Sequence, residues 1–142
     1  PFFERLKMQL HIGTKQVTAK PMTRSDAEAH LGRNVGGDKH GDGYLVEYEG
    51  GYQAWSPKDV FDAAYRPTTG MTFGLAIEAM KAGKRVARDG WSGKGMWGEY
   101  VPAKDFSFSE LLPHFVIKNT NNSFSTWVPS INDCLADDWQ IV

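Results

Sequence analysis

The sequence predicts an α+β fold: a small antiparallel sheet with one packing helix in the C-terminal half, preceded by a small module of hairpin and helix. Three observations predict it. Between Thr72 and Gly83 the apolar residues Phe73, Ala76, Ile77 and Met80 recur at i, i+3, i+4 and i+7, the stripe of an amphipathic helix. The stretches around it are short, rich in β-branched and aromatic residues, and separated by Gly, Asn and Pro, as in antiparallel hairpins. Thr68-Thr69-Gly70 reads as a linker, which divides the 142 residues into modules 9–68 and 71–142.

Composition narrows the function classes. At 41% hydrophobic and 13% aromatic the chain holds too many core formers to be disordered. Modules of about 60–70 residues sit near the lower limit for a self-sufficient core, which favours assembly with other copies. A net charge of -1 argues against a dedicated DNA or RNA binder, whose affinity depends on many Lys and Arg. Cys134 is the sole cysteine, which leaves no internal disulfide framework and no Cys-based zinc site, in keeping with a reducing cytoplasm. No apolar run approaches the roughly 20 residues needed to span a bilayer. The first residues lack the long apolar core of a signal peptide. Met8 is read as a native start, so Pro1 to Lys7 carry no functional weight here.

In the first module, β-branched residues Ile12, Thr14, Val17 and Thr18 predict a strand over 11–20, stopped by Pro21. Thr23, three residues before Asp26, marks a helix start, with Gly32 as its stop after Leu31. Residues 33–43 hold four glycines and no apolar period, so a mobile loop is expected, and His40 is read as solvated rather than as a metal ligand. GYLVEY and YQAW around Glu49-Gly50-Gly51 form a hairpin signal. Ser56-Pro57-Lys58-Asp59 then opens a helix to about Tyr65, with Val60, Phe61 and Ala64 as its expected buried stripe. The hairpin aromatics Tyr44, Tyr48, Tyr52 and Trp55 are read as packing under that helix rather than as a base-stacking platform.

The second module continues from its helix into KRVAR, which alternates basic and apolar residues as an exposed or groove-lining strand would. Asp89-Gly90 and Ser92-Gly93-Lys94-Gly95 turn the chain on either side of Trp91. Two arrangements fit this spacing. Trp91 can fold into the core of a hairpin turn, which periodicity favours, or the glycines can admit a ligand to the backbone amides while the indole stacks on it. Strands are expected at 96–101, 113–118 and 124–128, with either a strand or one helical turn at 106–112. INDCL reads as one helical turn and DDWQIV as a terminal strand.

The chemistry is that of binding rather than catalysis. Asp137 and Asp138 are adjacent, so in a strand they point to opposite faces and make no carboxylate pair. Ser92, Ser125 and Ser130 lack a nucleophile-elbow pattern. His114 has no carboxylate near it in sequence and is read as bonding a ligand phosphate or a backbone group. Tryptophans 91, 97 and 127, the cations Lys84, Arg85, Arg88 and Lys94, and the polar Ser130, Asn132 and Asp133 suit a nucleotide-like ligand.

These residues also carry a resemblance. MTFGLAIEAMKAGKRVARDGWSGKGMW, followed by PHFVIK and WVPSINDCLADDWQIV, resembles the phage-encoded type 2 Thoeris anti-defence family over residues 71–142. The resemblance implies a sponge that binds glycocyclic ADP-ribose, and in some members cyclic dinucleotides, without cleaving it. It implies no enzyme activity and no cofactor or metal. It further implies a homo-oligomer, tetramer or dimer, with ligand pockets at subunit contacts, working in the cytoplasm of the infected bacterial host. By the same resemblance the ligand-binding residues are Trp91, Phe73, Arg88, Lys94, Met96, His114, Trp127, Ser130 and Asp133, with Trp91 first for stacking. The family's apolar strand after Gly95-Met96 is here the more polar Trp97-Gly98-Glu99-Tyr100. Residues 11–67 resemble a small uncharacterised phage module. The competing readings are a hydrolase of the same messenger and a non-catalytic interaction or structural module.

Overall fold

A computed structural model describes residues 8–37 and 41–142. Its contacts divide the chain into two compact units between Ala63 and Ala64. His40 and the residues before Met8 lie outside the described residues.

The first unit is a three-stranded antiparallel sheet, β1 (Thr18–Pro21), β2 (Gly43–Glu47) and β3 (Gln53–Pro57), in that order, with helices α1 (Arg24–Leu31) and α2 (Lys58–Ala64). Thr23 caps α1 by accepting from the Asp26 amide, and Gly32 ends it at φ 70°. Gly50 and Gly51 take positive φ in the β2–β3 turn, where a side chain would be strained. Trp55 is buried and donates its indole N–H to the Met22 carbonyl at 2.7 Å.

Three expectations are corrected here. The strand over 11–20 shrinks to four residues, because only those reach β2; Ile12 stays 91% exposed with no sheet to cover it. Pro57 ends β3 instead of opening α2, since it and Ser56 pair with Gly43 and Tyr44 of β2. The expected buried stripe of α2 is not buried: Val60 and Ala64 are exposed, and Phe61 is half-buried through its ring stack on Tyr44.

The second unit carries α3 (Phe73–Lys81) on a five-stranded antiparallel sheet of order β10-β4-β5-β8-β9. The strands are β4 (Val86–Arg88), β5 (Trp97–Val101), β8 (His114–Lys118), β9 (Phe124–Thr126) and β10 (Trp139–Ile141). A separate hairpin, β6 (Lys104–Phe106) and β7 (Ser109–Leu111), leaves the sheet between β5 and β8, and a short helix α4 (Ile131–Leu135) precedes β10. The ambiguous 106–112 stretch is thus half of a hairpin, turned at Ser107 with φ 55°. Thr72 caps α3. Gly83 and Lys84 return their amides to Met80 and Ala79, the paired bonds of a Schellman stop.

Phe73, Ala76, Ala79, Met80, Val86 and Trp139 form the core, with Met71 joined to Trp139 by two backbone bonds of 2.7 and 3.1 Å. Val86 and Ala87 are both buried, so of the two expected alternatives, exposed or groove-lining, KRVAR is not the exposed one. Its basic residues cluster at the ends, and its centre lies between β5 and β10. Gly98 on β5 gives Trp127 room to lie flat: a Cβ there would stand 2.6 Å from the indole.

Candidate functional site

The site grows from the end of β4. Arg88 closes that strand, Asp89 and Gly90 turn the chain, and the Trp91 amide returns to the Arg88 carbonyl at 3.2 Å. A Cβ on Gly90 would stand 2.8 Å from Asp138 Oδ2, so a side chain here would push that carboxylate from its place. Trp91 is half-buried and packs against the core, the arrangement that periodicity favours. Its ring meets Trp127 and Trp139 edge-on, at centroid distances of 5.8 and 5.3 Å.

One ionic network holds this turn. Arg88 Nε donates to Asp138 Oδ1 at 2.8 Å, and Nη1 donates to Asp133 Oδ1 at 3.1 Å. The same Asp133 oxygen accepts the Trp91 indole N–H at 3.0 Å, while Asp138 Oδ2 accepts the Gly90 amide at 2.8 Å. Ser130 caps α4 and exchanges bonds with Asp133 as a capping box. The Asp133 carbonyl accepts the Trp139 indole at 2.9 Å.

The carboxylates are held in their ionised form. Burial pushes the Asp133 carboxyl up, but the hydrogen bonds from Trp91, Arg88 and Ser130 outweigh it and leave it below the ordinary range. For Asp138 the Arg88 hydrogen bond is the main cause of a lowered value, opposed by burial and helped by the Gly90 amide. Arg88 is raised in turn, chiefly by Asp138 and then by Asp133.

Beside the network lies a cleft of about 250 Å³, lined among others by Arg88, Trp91, Lys94, Met96, Trp97 and Gln140. It brings four of the expected ligand residues together: Arg88, Trp91, Lys94 and Met96. Asp133 adjoins them through Arg88 and the Trp91 indole, and Trp127 backs the Trp91 ring. The other three stand elsewhere. Phe73 is a core residue against Phe115, Trp127 and Trp139. Ser130 is the α4 cap, and His114 lies on β8, donating from Nδ1 to the Leu112 carbonyl at 3.0 Å. Trp97, one of the tryptophans that suit a nucleotide-like ligand, lines the cleft, and so does Gln140, to which the sequence alone gives no role. For Gln140 a signal existed, since Trp139 and Ile141 flank it with the opposite phase of a strand.

Among the described residues, no group of His, Cys, Asp and Glu is arranged to hold a metal ion, and no helix is long and apolar enough to cross a membrane. Fold and site together define a small α+β unit with an aromatic cleft clamped at one side by ion pairs. Residues 71–142 match the family model described as the Thoeris anti-defense 2-like domain, and the chain belongs to that family. It is also similar to "Thoeris anti-defense 2" of Bacillus phage SP01, at 39% identity over 87 residues, covering 52% of this chain and 97% of the relative. The family makes this a phage anti-defence protein directed at Thoeris.

Proposed function

We propose that the protein binds a cyclic nucleotide messenger of the glycocyclic ADP-ribose class and holds it uncleaved, with cyclic dinucleotides as a second ligand class. It thereby starves Thoeris signalling in the cytoplasm of the infected host. The single observation that carries the reading is the cleft at the Gly90-Trp91 turn within the anti-defence domain. Its lining supplies what such a ligand needs: indole surface from Trp91 and Trp97, a thioether from Met96, and glycine backbone at Gly93 and Gly95. Lys94 is exposed there and has no ion-pair partner among the described residues, so its charge is available to a phosphate.

Size supports a shared site. Ligand pockets usually enclose roughly 300–1,000 Å³. The cleft of about 250 Å³ falls below that range, so a second copy of the chain supplies the remaining wall in this reading. The outer side of α4 offers a surface for such assembly, because Val128, Ile131 and Leu135 are all more than three-quarters exposed.

The test is to incubate the protein with glycocyclic ADP-ribose isomers, cyclic ADP-ribose and cyclic dinucleotides, remove free ligand, denature by heat and identify what is released. Intact messenger supports the sponge. Altered messenger supports a hydrolase, and no captured nucleotide leaves an interaction module.

A further inference from the structure

We propose that Arg88 is a positioning residue that holds the Gly90-Trp91 turn against α4, and that it does not receive the ligand's phosphates; the ligand half of this rests on the messenger reading.

Arg88 is the cation nearest the Trp91 turn in sequence, so it is the obvious partner for an anionic ligand. Its guanidinium is already committed. Nε and Nη1 donate to Asp138 and Asp133 at 2.8 and 3.1 Å, with Nη2 at 3.5 Å from the second Asp138 oxygen. One positive charge thus faces two negative ones. An arriving phosphate would meet a locally negative cluster and would have to displace a carboxylate from a partly buried pair, which leaves that carboxylate unpaired.

Every other bond of the cluster ends on the turn or on what supports it. Asp138 takes the Gly90 amide with its side chain and the Asp89 amide with its carbonyl at 3.1 Å. Asp133 takes the Trp91 indole proton, and its own position is set by the Ser130 cap. The indole's polar edge is therefore turned toward α4, and a ligand meets the ring's remaining surface on the cleft side. Arg88 neutralises the two carboxylates that perform this pinning. The planar guanidinium fork is what a pair of carboxylates at fixed angles requires, and a lysine cannot replace it.

Two substitutions separate positioning from phosphate contact. Asp138→Asn removes a charge that now occupies Arg88. If Arg88 served the ligand, this variant would bind glycocyclic ADP-ribose more tightly and with a steeper salt dependence. Positioning demands the opposite: affinity about tenfold weaker, with the Trp91 indole proton exchanging about tenfold faster in the ligand-free protein. Arg88→Lys keeps the charge and loses the fork, so it should show the same two losses. That proton is assigned in ¹H–¹⁵N spectra of the full chain by its disappearance in Trp91→Phe. Tighter binding by Asp138→Asn, or unchanged Trp91 exchange with near-normal affinity in Arg88→Lys, would overturn the inference. If the unaltered protein captures no messenger, the messenger reading fails, and the exchange rates of the ligand-free variants alone decide whether Arg88 pins the turn. Should Arg88→Lys fail to fold, Asp138→Asn, nearly isosteric with the natural residue, gives the decision.

Discussion

Asp133 Oδ1 accepts from two side chains at once, the Arg88 guanidinium and the Trp91 indole, and this double use ties the tryptophan to the protonation of one carboxylate. Asp133 and Asp138 both titrate below the ordinary carboxylate value of about 4. A lowered folded-state value means that the stabilisation is complete above the unfolded value and is lost as pH falls through the folded one. Stability should therefore stay level from neutral pH to about 5 and decline below about 4, and Asp138→Asn should flatten that decline. Urea midpoints measured against pH read this directly. Trp91 itself serves two masters. Trp91→Ala should abolish messenger binding, but it also empties a place between Trp127 and Trp139, so it should cost about 2–3 kcal/mol of stability in denaturant unfolding. Of this arrangement the sequence shows the Asp89-Gly90 turn and the short helical turn after Ser130, while the capping bonds between Ser130 and Asp133 emerge only in the structure. The ion pairs were hidden, because Arg88 meets Asp133 and Asp138 across 45 and 50 positions. The adjacency of Asp137 and Asp138 spoke only against pairing with each other.

Elements were legible where their cause is local. Thr23 and Thr72 each cap a helix whose start the sequence marks, and Gly32 and Gly83 supply the left-handed residues that stop them. Elements were misread where a partner decides. Residues 11–17 have strand-forming side chains but no strand beside them, and α2 has an apolar stripe but little to lay it on. The central strand β5 shows the same dependence. Its Gly98 looks like a flaw in a strand until Trp127 is seen lying across it. Gly98→Ala should drive a methyl group into that ring and cost about 1–3 kcal/mol by overpacking, seen as a lowered thermal midpoint. A midpoint equal to that of the unaltered protein would mean that Trp127 is free to move aside.

At the scale of the whole chain, the anti-defence domain and the second compact unit nearly coincide, at residues 71–142 and Ala64–Val142. The SP01 relative is matched over 97% of its own length by 52% of this chain, about the share that the anti-defence domain occupies. Residues 64–142 alone should therefore bind the messenger with the affinity of the full chain, as calorimetry can establish; a severalfold loss would assign the first unit a part in binding. If assembly uses the outer side of α4, Ile131→Glu should shift the sedimentation of the protein toward a smaller species and weaken messenger binding with it.

The pairing of Met71 with Trp139 bears on how such a unit comes into being. Trp139 has no exposed surface and sits at the heart of the core, yet it reaches its place only by joining the two ends of the unit. The contacts that complete the core are thus among the most distant along the chain, the kind that slow folding because a long loop must close before they form. A growing polypeptide would carry α3 and the first strands with their apolar faces uncovered until the last strand arrived. Timing, as much as energy, is then set by a single tryptophan near the end of the domain.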